Sequence, residues 1–394
     1  MTPPIRFNLN AILFFTFLFL GFVGDVIIVF NPDMLGLNQV LRSAGFIPII
    51  FVLARQRRSI SLLLLITVGL LLFSISFLVY YISGALSQEY LRSFFSTLVW
   101  AGKNFGFLLV FVFYVGAFDD ERSRRSILAV LVFFSLLYIV IQISGAIFSV
   151  GSFMTYGEGG YRSGYKGVIY AQNEASAFYF FSGVIVYEFF RKSGKSIRML
   201  SFFIVCFSLF VLGTKAGWGF LMIFVVYVFY TEFGLRRSLL FLFSFFAVQS
   251  ILVIYMYNIN PLFKEAADLS IGYYRYKLSV NQSLLSVLTS GRNDLFMNVF
   301  EWSFTHMPTF PFTGGVPITR LFIEMDFFDI VLVFGLPFAI IYFSYIYKCF
   351  DAKNNRLLFL SFILASFIAG HLTYSIVAAP FISGSFLSMH TINK

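Results

Sequence analysis

Apolar residues fall in continuous runs of about 15 to 23 positions, each closed by charge or glycine. They lie near residues 10–30, 40–54, 60–82, 94–117, 126–148, 171–190, 199–213, 217–231, 239–257, 327–347, 357–376 and 377–391. Membrane barrel strands alternate apolar and polar positions, which these runs do not, so helices are the way to satisfy the backbone in lipid. The pattern predicts an all-α polytopic membrane protein of about 11–12 transmembrane helices, a single integral membrane domain over residues 1–394. The first run lacks a small-residue cleavage pattern and is expected to be retained as a helix.

Two stretches interrupt the pattern. Residues 149–170, SVGSFMTYGEGGYRSGYKGVIY, form a Gly-rich loop that contains Arg162. Residues 258–326 form a much longer one, in which Lys264, Arg275, Lys277, Arg292 and Arg320 mix with Glu265, Asp268, Asp294, Glu301, Glu324 and Asp326. Leu, Phe, Tyr and Trp occur throughout it, and so long a structureless loop is uncommon, so amphipathic helices lying on the membrane face are expected there. No internal repeat is visible, which weakens a transporter reading.

Composition agrees with the pattern: 59% of the 394 residues are hydrophobic, 12% are charged and 57 are Phe. An ordinary soluble domain is about a quarter charged, so a soluble fold is excluded. The net charge of +10 reads as topology rather than as nucleic-acid binding. With the N-terminus cytoplasmic, every inner segment is basic: Arg6; Arg55, Arg57 and Arg58; Arg122, Arg124 and Arg125; Arg191, Lys192, Lys195 and Arg198; Arg236 and Arg237; Lys348, Lys353 and Arg356. The loops 149–170 and 258–326 then lie outside. Cys206 and Cys349 support neither a disulfide framework nor a zinc site.

Basic residues on the outer side oppose the orienting rule and call for a reason. They are Arg162, Lys166, Lys215, Arg275, Lys277, Arg292 and Arg320, and the plainer reading of any one is a side chain in water or among headgroups. Lys215 sits in the tight loop Gly213-Thr214-Lys215-Ala216-Gly217, whose small residues permit close approach of a ligand. Arg292 follows Ser290-Gly291 at a helix start that would present N–H groups and a guanidinium to a phosphate. The Gly-rich loop leads into Ala171-Gln172-Asn173-Glu174, where Glu174 is a candidate dipole partner of a helix N-terminus.

Glu324, Asp326 and Asp329 stand together at the start of a span. Either they pair with Arg320 and its neighbours, or one carboxyl is raised by partial burial and a neighbouring acid and accepts a proton. Glu324 is the expected base and His306 its alternative, while His371, after Gly370 in the penultimate span, suits packing or a network as well as catalysis. His306, His371 and His390 are too far apart for a local metal motif, so no metal site is expected.

Over residues 155–376 the order of these pieces resembles the O-antigen polymerase and O-antigen ligase superfamily of bacterial inner-membrane glycosyltransferases. The resemblance rests on the Arg-Gly loop leading into Gln172-Asn173-Glu174, on Gly213-Thr214-Lys215, on Ser290-Gly291-Arg292, and on the stretch from Glu324 to Gly335. Thr214-Lys215 stands where the family often has Ser-Arg, and Glu324 where ligases commonly have His, which favours a polymerase.

The resemblance implies a GT-C-like membrane enzyme that joins undecaprenyl-pyrophosphate-linked oligosaccharide repeat units on the periplasmic side, with inversion and with neither metal nor cofactor. It implies Glu324, Arg292 and Arg162 as catalytic residues, and Lys215, Asn173, Arg275, Arg320 and His306 as substrate-binding ones. A chain-length regulator protein joins the lipid-linked glycan and the bilayer as an implied partner. The rival readings are a ligase that transfers the glycan to a lipid acceptor, a lipid-linked oligosaccharide flippase or other transporter, and a scaffold of the assembly machinery.

Overall fold

A computed structural model describes residues 9–54, 59–84, 86, 88–117, 121–156, 164–259, 264, 267–268, 271–272, 275–276, 278–280, 283–307, 309–318, 321–349, 356–368 and 370–388. Its helices are α1 (Leu9–Phe30), α2 (Leu35–Leu53), α3 (Ser59–Ile82), α4 (Gln88–Ala117), α5 (Glu121–Ile147), α6 (Gln172–Phe190), α7 (Lys195–Val211) and α8 (Lys215–Ile259). They are followed by α9 (Leu284–Thr289), α10 (Arg292–His306), α11 (Asp326–Phe334), α12 (Leu336–Cys349), α13 (Arg356–Ile368) and α14 (Ala379–Ser388).

Among the described residues, six helical stretches are long and apolar enough to cross a membrane: Leu9–Phe30, Pro32–Leu53, Ile60–Ile82, Ser93–Tyr114, Glu121–Ile147 and Lys215–Gly234. With one isolated bridge, Met154 to Tyr165, and no strand among the described residues, the protein is an all-α polytopic membrane protein. The expected spans 217–231 and 239–257 are the two parts of α8, which breaks at Gly234 (φ 73°). The stretch 258–326 contains α9 and α10.

The chain forms two compact units, residues 1–134 with 291–394, and residues 135–290. In lipid, helices gain little by hiding apolar surface from one another, so close packing and interhelical polar contacts must hold a bundle. In the first unit, Phe14 of α1 stacks on Phe113 at 5.5 Å and meets Tyr114 edge-on at 5.2 Å. Buried Asp25 of α1 pairs with Arg42 of α2, and a side chain at Gly24 would come within 2.4 Å of Asn38 Oδ1. Several leucines of α3, among them Leu63, Leu64 and Leu71, are exposed, as side chains facing acyl chains would be, while Leu62 is buried.

The end of this unit departs from the expected spans. The run 327–347 is broken at Gly335 (φ 88°), because the 311–316 backbone packs against the end of α11: Leu336 donates to the Pro311 carbonyl at 2.8 Å, and Gly315 and Val316 to the Val333 and Leu332 carbonyls. Among the described residues, the run 357–376 is helical to Ile368 and not over 370–376, and in the run 377–391 the helix is α14. Residues 371–373 give their N–H groups to the Asp326 carboxylate, which competes with continuing the helix.

In the second unit α6 is buried on all sides from Glu174 to Glu188, with Gly183 admitting Val205 of α7. At its last turn, Glu188 accepts the Tyr227 hydroxyl of α8 at 2.6 Å. Arg191 bridges Glu188 at 3.5 Å and Glu232 at 3.3 Å, and Arg198 of α7 reaches Glu232 at 3.0 Å. This ionic network ties three helices together at one end.

Candidate functional site

The three acids at the head of α11 do three different things. Asp329, fully buried, accepts the N–H groups of Ile323 and Met325, both at 3.0 Å, and closes the segment back on itself. Asp326, also fully buried, accepts those of His371 and Leu372 at 2.9 Å and Thr373 at 3.0 Å. These two are scaffold. Glu324 turns away from both, in a left-handed conformation (φ 64°) that costs a non-glycine residue about 1–3 kcal/mol.

Glu324 instead meets Arg292, the first residue of α10, at 2.9 Å. The sequence suggested a proton shared between Glu324 and Asp326; the structure gives the two carboxylates separate partners. The Arg292 side chain is 14% exposed and that of Glu324 44%, so the guanidinium is held while the carboxylate stays reachable. Ser290 and Gly291 before it are both left-handed (φ 60° and 82°), which ends α9 and lets α10 start at Arg292.

His371 completes this cluster. It stands in the non-helical connector between α13 and α14, also left-handed (φ 77°), and its Nδ1 is hydrogen-bonded to the Tyr374 hydroxyl. Phe322 lies edge-on to the imidazole at 6.0 Å. The connector is fastened to α4, where Thr373 donates to Asn104 Oδ1 at 2.9 Å and Asn104 donates to the Trp100 carbonyl at 3.0 Å. A side chain at Gly370 would fall 2.6 Å from the Glu324 carbonyl oxygen, so this glycine allows the two segments to touch.

Within the second unit, Lys215 opens α8 and donates to the Val287 carbonyl and, at 3.3 Å, to Ser290 Oγ. Thr214 caps that helix, accepting the Gly217 N–H at 2.8 Å, and bonds Ser176 of α6 at 2.9 Å. The 149–170 loop is bound to the end of α7: Tyr165 donates to the Val211 carbonyl at 2.8 Å, Thr155 to that of Leu212 at 2.9 Å, and Gly164 lies against Leu212 too closely for any side chain. Gln172 donates to the Thr155 carbonyl at 2.7 Å, and Asn173 lies half-buried in the first turn of α6. Lys166 donates to the Tyr170 carbonyl at 2.6 Å, and burial lowers its ammonium from the ordinary range.

The expected site residues therefore do not all meet. Arg292 and Glu324 are brought together, and Lys215 is joined to Ser290. Arg275 is exposed and acts electrostatically on Tyr257, whose hydroxyl donates to Asp268 at 2.7 Å. His306 ends α10, exposed and stacked on Trp302 at 4.9 Å, with Nδ1 bonded to the Trp302 carbonyl. Arg162 and Arg320 lie outside the described residues, as do Arg6, Arg55, Arg57, Arg58, Lys277, Lys353 and His390. Among the described residues no cluster of three or more His, Cys, Asp or Glu is arranged to hold a metal.

Sequence reasoning missed the bond from His371 to Tyr374, the approach of Gly370 to Glu324, the Asp25–Arg42 pair and the Glu188–Arg191–Glu232 network. The signal for the last two was present, since Asp25, Arg42 and Glu188 are charges inside apolar runs. The chain matches no family model, and no curated protein or solved structure is significantly similar to it.

Proposed function

We propose that this membrane protein is an enzyme of glycosyl transfer, and specifically a polymerase of undecaprenyl-pyrophosphate-linked oligosaccharide repeat units, O-antigen or a related surface polysaccharide. The observation that carries the reading is the Arg292–Glu324 pair, which sets a held guanidinium beside a reachable carboxylate. The transfer needs both: a fixed positive charge for the departing pyrophosphate and a base for the attacking hydroxyl. A pyrophosphate that engages Arg292 competes with Glu324 for the guanidinium and releases the carboxylate to act.

In this reaction the acceptor hydroxyl oxygen forms the new bond to the anomeric carbon, from the face opposite the leaving group. The bond from that carbon to the pyrophosphate oxygen breaks, and its electron pair leaves with the pyrophosphate. The hydroxyl proton passes to a Glu324 carboxylate oxygen, and Arg292 forks onto two phosphate oxygens. On the resemblance in sequence, Arg162 is assigned to catalysis, and Lys215, Asn173, Arg275, Arg320 and His306 to substrate binding. The reaction uses no metal or cofactor. The protein sits in the bacterial inner membrane with its N-terminus cytoplasmic and the loops 149–170 and 258–326 periplasmic, and works with a chain-length regulator protein.

Deletion in the native host, followed by gel analysis of the surface polysaccharide, tests this. A ladder that collapses to a single capped repeat unit is the polymerase result. Loss of all capped material would make the protein a ligase, and reconstituted flipping without polymer growth would make it a transporter.

A further inference from the structure

Where the connector after α13 meets α4, one buried donor is left without an acceptor. Trp100 and Asn104 stand one turn apart on α4: Asn104 accepts the Thr373 hydroxyl at 2.9 Å, and the Trp100 ring lies 5.9 Å from that of Tyr374. Phe334 of α11 stacks on the indole at 6.4 Å. Trp100 is 8% exposed, and among the described residues no acceptor lies within hydrogen-bond distance of its Nε1. An indole N–H can only donate, and burying it unmet is costly unless something supplies an acceptor. The rings beside it are more open. Phe322, His371 and Tyr374 are half-buried, with Phe322 5.9 Å from Tyr374 and Tyr374 4.9 Å from His371. Lys103, three positions on from Trp100, is half-buried within the span Ser93–Tyr114, and a charge at that depth belongs to a polar interior rather than to acyl chains.

We propose that Trp100, Phe322 and Tyr374 form a subsite for one sugar ring of the glycan substrate, with Trp100 Nε1–H donating to a sugar hydroxyl. The proposal rests on the transfer reading and adds specificity-determining residues to the same site. A pyranose supplies what the cluster lacks: its hydroxyl oxygens accept an N–H, and its C–H face covers aromatic rings. A polyprenyl or acyl chain would cover the rings but give the indole no acceptor. A phosphate calls for cationic donors, and the indole is a single neutral one. The cluster also adjoins the proposed base. Phe322 is two positions before Glu324, and a side chain at Gly370, next to His371, would fall 2.6 Å from the Glu324 carbonyl oxygen. The backbone that carries the base therefore also walls the subsite.

NMR of the indole N–H groups tests this on the full chain in detergent, without turnover. The chain has 3 tryptophans, and Trp218→Phe and Trp302→Phe assign the other two signals even where a Trp100→Phe chain does not fold. The probe is the host's own repeat-unit oligosaccharide, cut from its lipid pyrophosphate by mild acid. It should shift the Trp100 signal to saturation, whereas inorganic pyrophosphate and free polyprenol should leave it in place. In polymerisation of a synthetic polyprenyl-pyrophosphate repeat unit, Trp100→Phe keeps a ring and loses the N–H. It should raise KM on the order of tenfold with kcat little changed, because the bond is made alike before and during transfer. Phe322→Leu should also raise KM, through loss of the ring face. A Trp100 signal that the oligosaccharide does not move, in a chain that makes polymer, overturns the proposal alone. So does a Trp100→Phe chain that loses thermal stability and keeps its KM, since the indole would then serve packing only. A shifted signal in a chain that makes no polymer leaves the sugar subsite standing and fells the transfer reading. Neither shift nor polymer fells both.

Discussion

The Asp326 carboxylate accepts the backbone N–H of His371 at 2.9 Å, across 45 positions of sequence, and in doing so fastens the connector between α13 and α14 to the head of α11. A carboxylate that takes three N–H groups at once is a cap for a helix that was interrupted rather than ended. Asp326→Asn tests this directly. The amide keeps one acceptor oxygen but turns an NH₂ toward donors, so at least one buried N–H loses its partner at a cost of about 1–3 kcal/mol. Thermal unfolding in detergent should show the loss, and accessibility of residues 371–373 to hydrogen exchange should rise. Unchanged protection there would mean that the connector is held by other contacts.

Arg292→Ala should abolish polymer growth while the protein stays in the membrane at normal level, since the departing pyrophosphate loses its charge partner. Arg292→Lys should restore it only in part, because an ammonium cannot fork onto two oxygens. Arg162→Ala is expected to behave like Arg292→Ala. Polymer of near-normal length from both alanine variants, read on gels of surface polysaccharide, would remove these residues from the mechanism.

The helices were legible because lipid leaves the backbone no other choice, so each span announces itself as an unbroken apolar run. Their interruptions were not. The run through Gly335 continues apolar on both sides, and what breaks it is the 311–316 backbone, whose reach is a tertiary fact. The same holds after Ile368, where the competitor for the helix is a carboxylate far away in the chain. At the site, Arg292 and Glu324 could each be singled out by charge, but nothing local said that they meet. Glu324 and Asp326, two positions apart, looked like a pair, and left-handed backbone at Glu324 sends them to different partners.

Orientation in the membrane is set by the basic segments, and the site assignment depends on it. A cysteine placed at Arg275, which is exposed, should react with an impermeant reagent added from the periplasmic side of intact cells. One placed at Arg125, exposed on α5, should react only after the membrane is opened. Labelling of position 275 from the cytoplasm alone would put Arg292 and Glu324 on the wrong side for a periplasmic glycan.

The proposed base is the last assignment, and the geometry of α10 favours Glu324 over His306. Arg292 begins this helix and His306 ends it, 15 residues in all. At 1.5 Å per residue the two are about 20 Å apart, too far to serve one anomeric centre if Arg292 holds the pyrophosphate. His306 also spends Nδ1 on the Trp302 carbonyl of its own helix, whereas Glu324 touches Arg292. Glu324→Gln keeps the shape and loses the ability to accept a proton, so it should bind the donor lipid normally yet transfer at least about 100-fold more slowly. His306→Ala should leave most of the rate, with any loss falling on KM as weaker glycan binding. Purified variants given the synthetic repeat unit separate these outcomes. Polymer from Glu324→Gln together with none from His306→Ala would move the base to the far end of α10, and Arg292 could then no longer be the residue that holds the leaving group.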